Sequence, residues 1–164
     1  MKDSDLLQVA RRVIQLESEA LNYVSSRLDE QFSGAVSQIL GSPGRLVVCG
    51  MGKSGHIGRK IFATLVSTGT PALFMHPGEA FHGDLGMVQP SDLFLAISNS
   101  GETEEILKLI PFLKDNGNTL ISMTGRPEST LAKYSDYHLD VGVQAALLVG
   151  HSKDSLMEEA TPLL

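Results

Sequence analysis

From Arg45 onward the chain repeats one pattern: a short apolar run that breaks into glycine or polar residues, followed in most cases by a stretch with helical spacing. The runs are Arg45–Cys49, Ala72–Met75, Leu93–Ile97, Thr119–Met123 and His138–Val141, with helical stretches such as Ile57–Ser67 and Glu102–Asn116 between them. Runs this short and this apolar suit strands buried on both faces. Strands alternating with helices predict an α/β fold of three layers, with a five-stranded parallel sheet between helices.

The first forty residues have a different rhythm. Leu6, Leu7, Val13, Ile14, Leu16, Leu21, Val24 and Leu28 recur mostly at three- and four-residue steps, which predicts a helix with Ser4 as its cap. A second helix is expected over Asp29–Leu40, burying Phe32, Val36 and Ile39 and ended by Gly41-Ser-Pro-Gly44. The first helix is apolar on more than one face, so residues 1–43 are expected to pack on the domain and on a partner subunit, with 44–164 forming the binding domain. From Gly142 the pattern weakens: Ala145–Val149 is apolar, and Asp154–Glu159 fits only a helical turn or two.

Composition removes several classes. A single cysteine, Cys49, excludes a disulfide framework and a cysteine-rich zinc site. No apolar run approaches the roughly 20 residues of a membrane span. The start, MKDSDLLQVARR, lacks the basic-then-apolar order of a secretory signal. A net charge of −6 with no Lys/Arg cluster argues against a nucleic-acid or anionic-membrane surface. The expectation is a soluble, cytoplasmic protein.

Two loops at strand ends carry the chemistry. Gly50-Met-Gly52-Lys53-Ser54-Gly55-His56 follows the first strand and opens a helix, whose first amides favour an anion. Gly50, Gly52 and Gly55 match the dinucleotide spacing, but no Asp or Glu lies between Gly55 and Gly78 to hold a ribose. A nucleotide P-loop needs a glycine where Val47 stands. The second loop, Ser98-Asn99-Ser100-Gly101-Glu102-Thr103, follows the third strand. Its hydroxyls suit a phosphate held without much positive charge. Ordinary capping by Ser100 accounts for one serine, and Thr103 breaks the capping box. In the flavodoxin-like order 2-1-3-4-5, ligands bind between strands 1 and 3, the strands that end in these loops. One phosphate-sized ligand between them is the economical reading. The segment His76–Met87 lies near the same edge, and His82 with Asp84 is only a weak metal signal.

The segments GMGKSGHIGRK, STGTPALFMHPGEAFHGDLGM, ISNSGETEEIL and MTGRPESTLAK closely resemble the sugar isomerase (SIS) domain of arabinose-5-phosphate isomerases, from about Gly44 to Val141. The resemblance implies interconversion of D-ribulose 5-phosphate and D-arabinose 5-phosphate through a cis-enediol, feeding Kdo for lipopolysaccharide or capsule. It implies Ser54, Ser98, Asn99, Ser100 and Thr103 on the phosphate, and Lys53, His82 and Glu105 at the reacting end. Gly52, Glu79 and Asp84 are supporting positions. Glu105 or Glu159 is expected as the base, His82 as the ring-opening or proton-shuttling group, and Lys53 on the enediolate. The chemistry needs no metal or organic cofactor, and the family implies a homo-oligomer, a tetramer with shared sites.

Longer members carry a pair of CBS domains, for which this chain has no room, so it is expected to be the short form or an excised domain. At the carboxyl end Glu158-Glu159-Ala160-Thr161-Pro162-Leu163 resembles the family's EACPL, with Thr161 in place of Cys. The family's SHPGG histidine is absent, and His151 is no substitute by context. Two other readings remain: a non-catalytic phosphosugar sensor, and an isomerase of another sugar phosphate. The N-terminal residues lack a basic recognition helix, which counts against the sensor.

Overall fold

The computed structural model describes residues 3–142. Residues up to Arg27 form a unit separate from Leu28–Gly142. Its described part is one helix, α1 (Asp3–Ser25), which includes Ser4 in its first turn instead of being capped by it. The larger unit runs α2 (Glu30–Gly41), β1 (Leu46–Gly50), α3 (Gly52–Ser67), β2 (Ala72–Met75), α4 (Pro77–Ala80), a 3-10 turn (Asp84–Met87), β3 (Leu93–Ile97), α5 (Glu104–Leu107), α6 (Ile110–Asp115), β4 (Thr119–Thr124), α7 (Thr130–Tyr134) and β5 (Tyr137–Asp140). The expected Ala145–Val149 and Asp154–Glu159 segments lie outside the described residues.

The strands form one parallel sheet in the order β2-β1-β3-β4-β5. Alternate residues of each strand go to opposite faces. Val47, Cys49, Phe94, Ala96 and Leu120 pack against Ile106 and Leu107 of α5, Ile110 and Leu113 of α6 and Leu131 of α7. Leu46, Val48, Leu93, Leu95, Ile97 and Ile121 pack against Ala35 of α2 and Ile61, Phe62 and Leu65 of α3. All five residues of β1 and of β3 are buried, which is why these runs read as continuous apolar stretches. Burying each Val, Leu, Ile or Phe side chain of these strands contributes about 1.5–3 kcal/mol.

Three sequence expectations need correction. The α2 face that meets the sheet is Ala35 with Ile39, and Phe32 and Val36 are exposed. The close side of α2 is set by Gly34, where a methyl group would sit 2.5 Å from the Tyr137 ring. Leu28, Phe32, Val36 and Leu40, at four-residue steps, form a separate exposed stripe. The continuous helix expected over Glu102–Asn116 is two short ones, α5 and α6. Pro111 has no N–H to give Leu107 O, so the helical ladder is interrupted there. Conversely, α3 starts at Gly52 and not Ile57, because the glycine-rich loop is already its first turn.

One polar cluster pins the amino ends of β1 and β3 together. Asp92, 2% exposed, accepts hydrogen bonds from Arg45 N (2.9 Å), Arg45 Nη2 (2.7 Å) and Gln89 N (2.9 Å). Burial alone would raise the Asp92 carboxyl's pKa, but these bonds and the guanidinium's charge outweigh it and hold the group below its ordinary 3.8. A lowered folded pKa means stability that is fully present above the unfolded value and lost as pH falls through the folded one. Asp92→Ala is expected to lower unfolding free energy in urea by about 2–3 kcal/mol at neutral pH, since Arg45 retains some solvent. Asp92→Asn should lose less stability than the native chain on acidification below about pH 4.

Candidate functional site

Register brings the loops to one edge. Gly50, the last residue of β1, pairs with Ile97, the last of β3, and Cys49 pairs with Met75 at the end of β2. The chain therefore leaves three neighbouring strands into the three segments singled out by sequence.

The first loop is shaped by its glycines. Gly52 has φ +57, a conformation in which a β-carbon is strained. A methyl group on Gly55 would lie 2.8 Å from Gly50 O, so the strand end and the first turn of α3 touch backbone to backbone. No side chain caps α3, and its first turn closes only at Gly55 N, which donates to Met51 O. The amides of Gly52, Lys53 and Ser54 precede that bond and are unshared donors of the helix. Ser54 is half-buried and Lys53 is exposed.

The second loop is organised around one hydroxyl. Ser98, 2% exposed, places Oγ 2.7 Å from Thr103 Oγ1 and 3.5 Å from Ser100 Oγ, and accepts from Gly101 N at 3.1 Å. Ser100 Oγ accepts from Glu102 N at 3.2 Å. Helix α5 begins after Thr103, and Ser100 does not cap it. Asn99 is exposed. The loop is backed by the β4–α7 connection: Ser98 N donates to Met123 O, Gly125 N to Asn99 O and Leu131 N to Gly101 O. Gly101, at φ +65, lies so close to Ser129 that a methyl group there would run into its hydroxyl. Together the loops offer amides and hydroxyls to a small oxyanion, with Lys53 as the nearby cation in sequence.

In the third segment His76 caps α4, its Nδ1 accepting from Gly78 N at 3.2 Å. Pro77 and Ala80 are buried and anchor the turn, while Glu79 and His82 are exposed and Asp84 is half-buried. No hydrogen bond or ion pair among the described residues ties down the side chains of Lys53, Glu79, His82, Asp84 or Glu105. Glu105 lies in α5, exposed to solvent at least in part, two residues after Thr103. Among the described residues no group of three His, Cys, Asp or Glu is gathered as for a metal ion. Glu159 lies outside the described residues.

Sequence reasoning missed the backing of the second loop. The Glu102 carboxylate accepts from Thr130 N at 2.7 Å, and this bond lowers its pKa, helped by Lys133 and Arg126. Thr124 Oγ1 lies 2.9 Å from His138 Nε2 on the neighbouring strand. The only sequence traces of these contacts are the glycines at 101 and 125, which make room for close approach.

The fold and this edge define a class of parallel α/β proteins with amides and hydroxyls gathered where the strand order reverses. Residues 39–153 match the SIS domain, and the chain belongs to that family. It is 55% identical over 139 residues to a protein of Yersinia pestis named arabinose 5-phosphate isomerase KdsD, covering 85% of this chain and 42% of the relative. The chain thus spans less than half the length of that relative. An E. coli CFT073 structure described as a complex with arabinose 5-phosphate superposes with a TM-score of 0.83 at 42% identity, covering 88% of this chain and 77% of that one. A Bacteroides fragilis structure, described as a phosphosugar isomerase involved in capsule formation, gives a TM-score of 0.80 at 36% identity, covering 96% and 85%.

Cys49 immediately precedes the first loop, yet burial pushes its thiol up to about 12. It serves the core and not the chemistry. A thiol reagent at about pH 8 is expected to leave the folded chain unmodified and to label its single thiol once urea unfolds it.

Proposed function

We propose that the chain interconverts D-ribulose 5-phosphate and D-arabinose 5-phosphate. The observation that carries this reading is the pairing of Gly50 with Ile97, which sets the uncapped start of α3 beside the hydroxyls of Ser98, Ser100 and Thr103. The likeness to relatives named for this activity, and to a structure in complex with arabinose 5-phosphate, supports the choice of substrate.

In this reading Ser54, Asn99, Ser100 and Thr103 hold the phosphate, with Ser98 beneath them, and Gly52 admits the ligand to the backbone. Anchoring the unreactive end orients the other. Glu105, or Glu159, takes a proton from C1 of the ketose while the C2 oxygen gains one. The cis-enediol then loses its C1 hydroxyl proton as the new carbonyl forms, and C2 is protonated. The step is redox-neutral. Lys53 stabilises the enediolate, and His82 opens the ring or shuttles protons, with Glu79 and Asp84 placing the neighbouring groups. The product serves Kdo synthesis for lipopolysaccharide or capsule, in the cytoplasm. Among the described residues no helix is long and apolar enough to cross a membrane.

A homo-oligomer, a tetramer with shared sites, belongs to the same proposal. It is supported by two exposed apolar stripes. Leu7, Ile14 and Leu21 recur at seven-residue steps on α1, and Phe32, Val36 and Leu40 mark α2, with Leu28 just before it. Residues 1–43 are the proposed partner-facing region.

Incubation with D-ribulose 5-phosphate is expected to yield D-arabinose 5-phosphate. Lys53→Ala, His82→Asn and Glu105→Gln should each lower kcat by about 10²–10⁴-fold. Ser100→Ala should act mainly on KM. Binding of phosphosugar without turnover would favour the sensor reading, and absence of binding would remove the site. A monomeric sedimentation profile would overturn the oligomer.

A further inference from the structure

An acidic side chain inside a loop read as a phosphate cradle demands a physical reason. A carboxylate left free beside a phosphate repels it. Glu102 does not point its charge at the loop's own donors: Oε1 accepts from Thr130 N at 2.7 Å, and its electrostatic partners are Lys133 and Arg126. Thr130 is the first residue of α7, and its amide is one of those that the helix cannot satisfy internally. The N-cap, Ser129, bonds Ala132 N instead, so the Thr130 amide is left to Glu102.

This bond is special within the loop. Among the described residues, the side chains of Ser98, Ser100 and Thr103 bond only within the segment 98–103, and Glu102 is the one side chain of the four that reaches out of it, beside the backbone bonds of Ser98, Asn99 and Gly101. It does so between two sensitive neighbours. On one side is Gly101, whose φ of +65 gives the chain freedom there. On the other is Thr103, whose hydroxyl meets that of Ser98 at 2.7 Å. A tether at position 102 fixes the direction in which the chain leaves Gly101, and so fixes where the Ser100 and Thr103 hydroxyls stand.

We infer that Glu102 is a positioning residue: by gripping the α7 amide at Thr130 it holds the hydroxyl loop in its sugar-phosphate-binding shape, without touching the ligand itself. This rests on the function proposed above.

Both partners of the bond can be removed. Glu102→Ala deletes the acceptor. Thr130→Pro deletes the donor at a first helical position, where proline fits, after Ser129 at φ −65 and ψ 158, a conformation proline accepts in its neighbour. Glu102→Gln keeps an acceptor oxygen. Affinity of the full chain for D-arabinose 5-phosphate and for inorganic phosphate is measured by calorimetry, beside Tm and the KM and kcat of turnover. Glu102→Ala and Thr130→Pro are each expected to weaken binding and raise KM by about 5–30-fold, with a smaller change in kcat and little change in Tm. The double variant should be no worse than either single one, and Glu102→Gln should recover most of the affinity. Native-like affinity in both single variants would overturn the proposal. So would losses that multiply in the double variant, or that track a fall in Tm. A native chain that binds neither ligand would overturn the proposed site itself, and with it this inference. Native binding with indifferent variants would overturn the tether alone.

Discussion

The chain leaves β1 toward one side of the sheet and β3 toward the other, and the rest of the site depends on that reversal. Right-handed crossovers force it: moving outward from β1 to β2 places α3 on one face, and moving the opposite way from β3 to β4 places α5 and α6 on the other. The carboxyl ends of β1 and β3 are neighbours, paired at Gly50 and Ile97, and the connections that leave them diverge. Strand order by itself puts the switch point of the sheet there, before any side chain is chosen. The glycines then bring backbone to its edge, since α3 meets β1 with no room for a methyl group between Gly50 and Gly55.

That geometry explains how a chain with a net charge of −6 can offer the anion site proposed above. Attraction by a cluster of cations would act over the whole surface and would be screened within about a Debye length. Amides at a helix start and hydroxyls held at fixed positions act only at contact, and they are selective for oxygen atoms at the right spacing. The cost is order: each donor must already be in place. The molecule meets that demand from outside the loops, through backbone bonds that join Met123, Gly125 and Leu131 to Ser98, Asn99 and Gly101, and through the Arg45–Asp92 pair that fixes the amino ends of the same two strands.

What the sequence made legible follows the same division. Strands buried on both faces announce themselves as apolar runs, so Leu93–Ile97 is found to the residue. The two loops are legible because their residue types are costly elsewhere: three glycines and a lysine in one, three hydroxyls and an amide in the other. Less was legible where the outcome depends on a partner distant in sequence. Phe32 and Val36 fit a buried face as well as Ala35 and Ile39 do, and only Tyr137 against Gly34 decides which side of α2 meets the sheet. Pro111 was visible, but its effect on a helix that begins after Thr103 required knowing where that helix starts. The partner of Glu102 is an amide with no side-chain identity, 28 residues away, and no local pattern marks it.

The hydroxyl cluster shows what pre-arrangement can do beyond placing atoms. Ser98 Oγ accepts from Gly101 N and carries one hydrogen of its own. At 2.7 Å it and Thr103 Oγ1 share one hydrogen between them, and each arrangement leaves the other hydroxyl's hydrogen to point elsewhere. If Ser98 donates to Thr103, the Thr103 hydrogen is free to point outward. If Thr103 donates, the Ser98 hydrogen is confined, because Ser98 is 2% exposed and its remaining neighbour, Ser100 Oγ, stands at 3.5 Å. In the proposed site a phosphate oxygen, which as the dianion only accepts, would select the first arrangement, with Ser98 donating inward to Thr103 and Thr103 donating outward. On that proposal the buried serine would act on the ligand through its neighbour: donating to Thr103 Oγ1 polarises that hydroxyl and strengthens it as a donor.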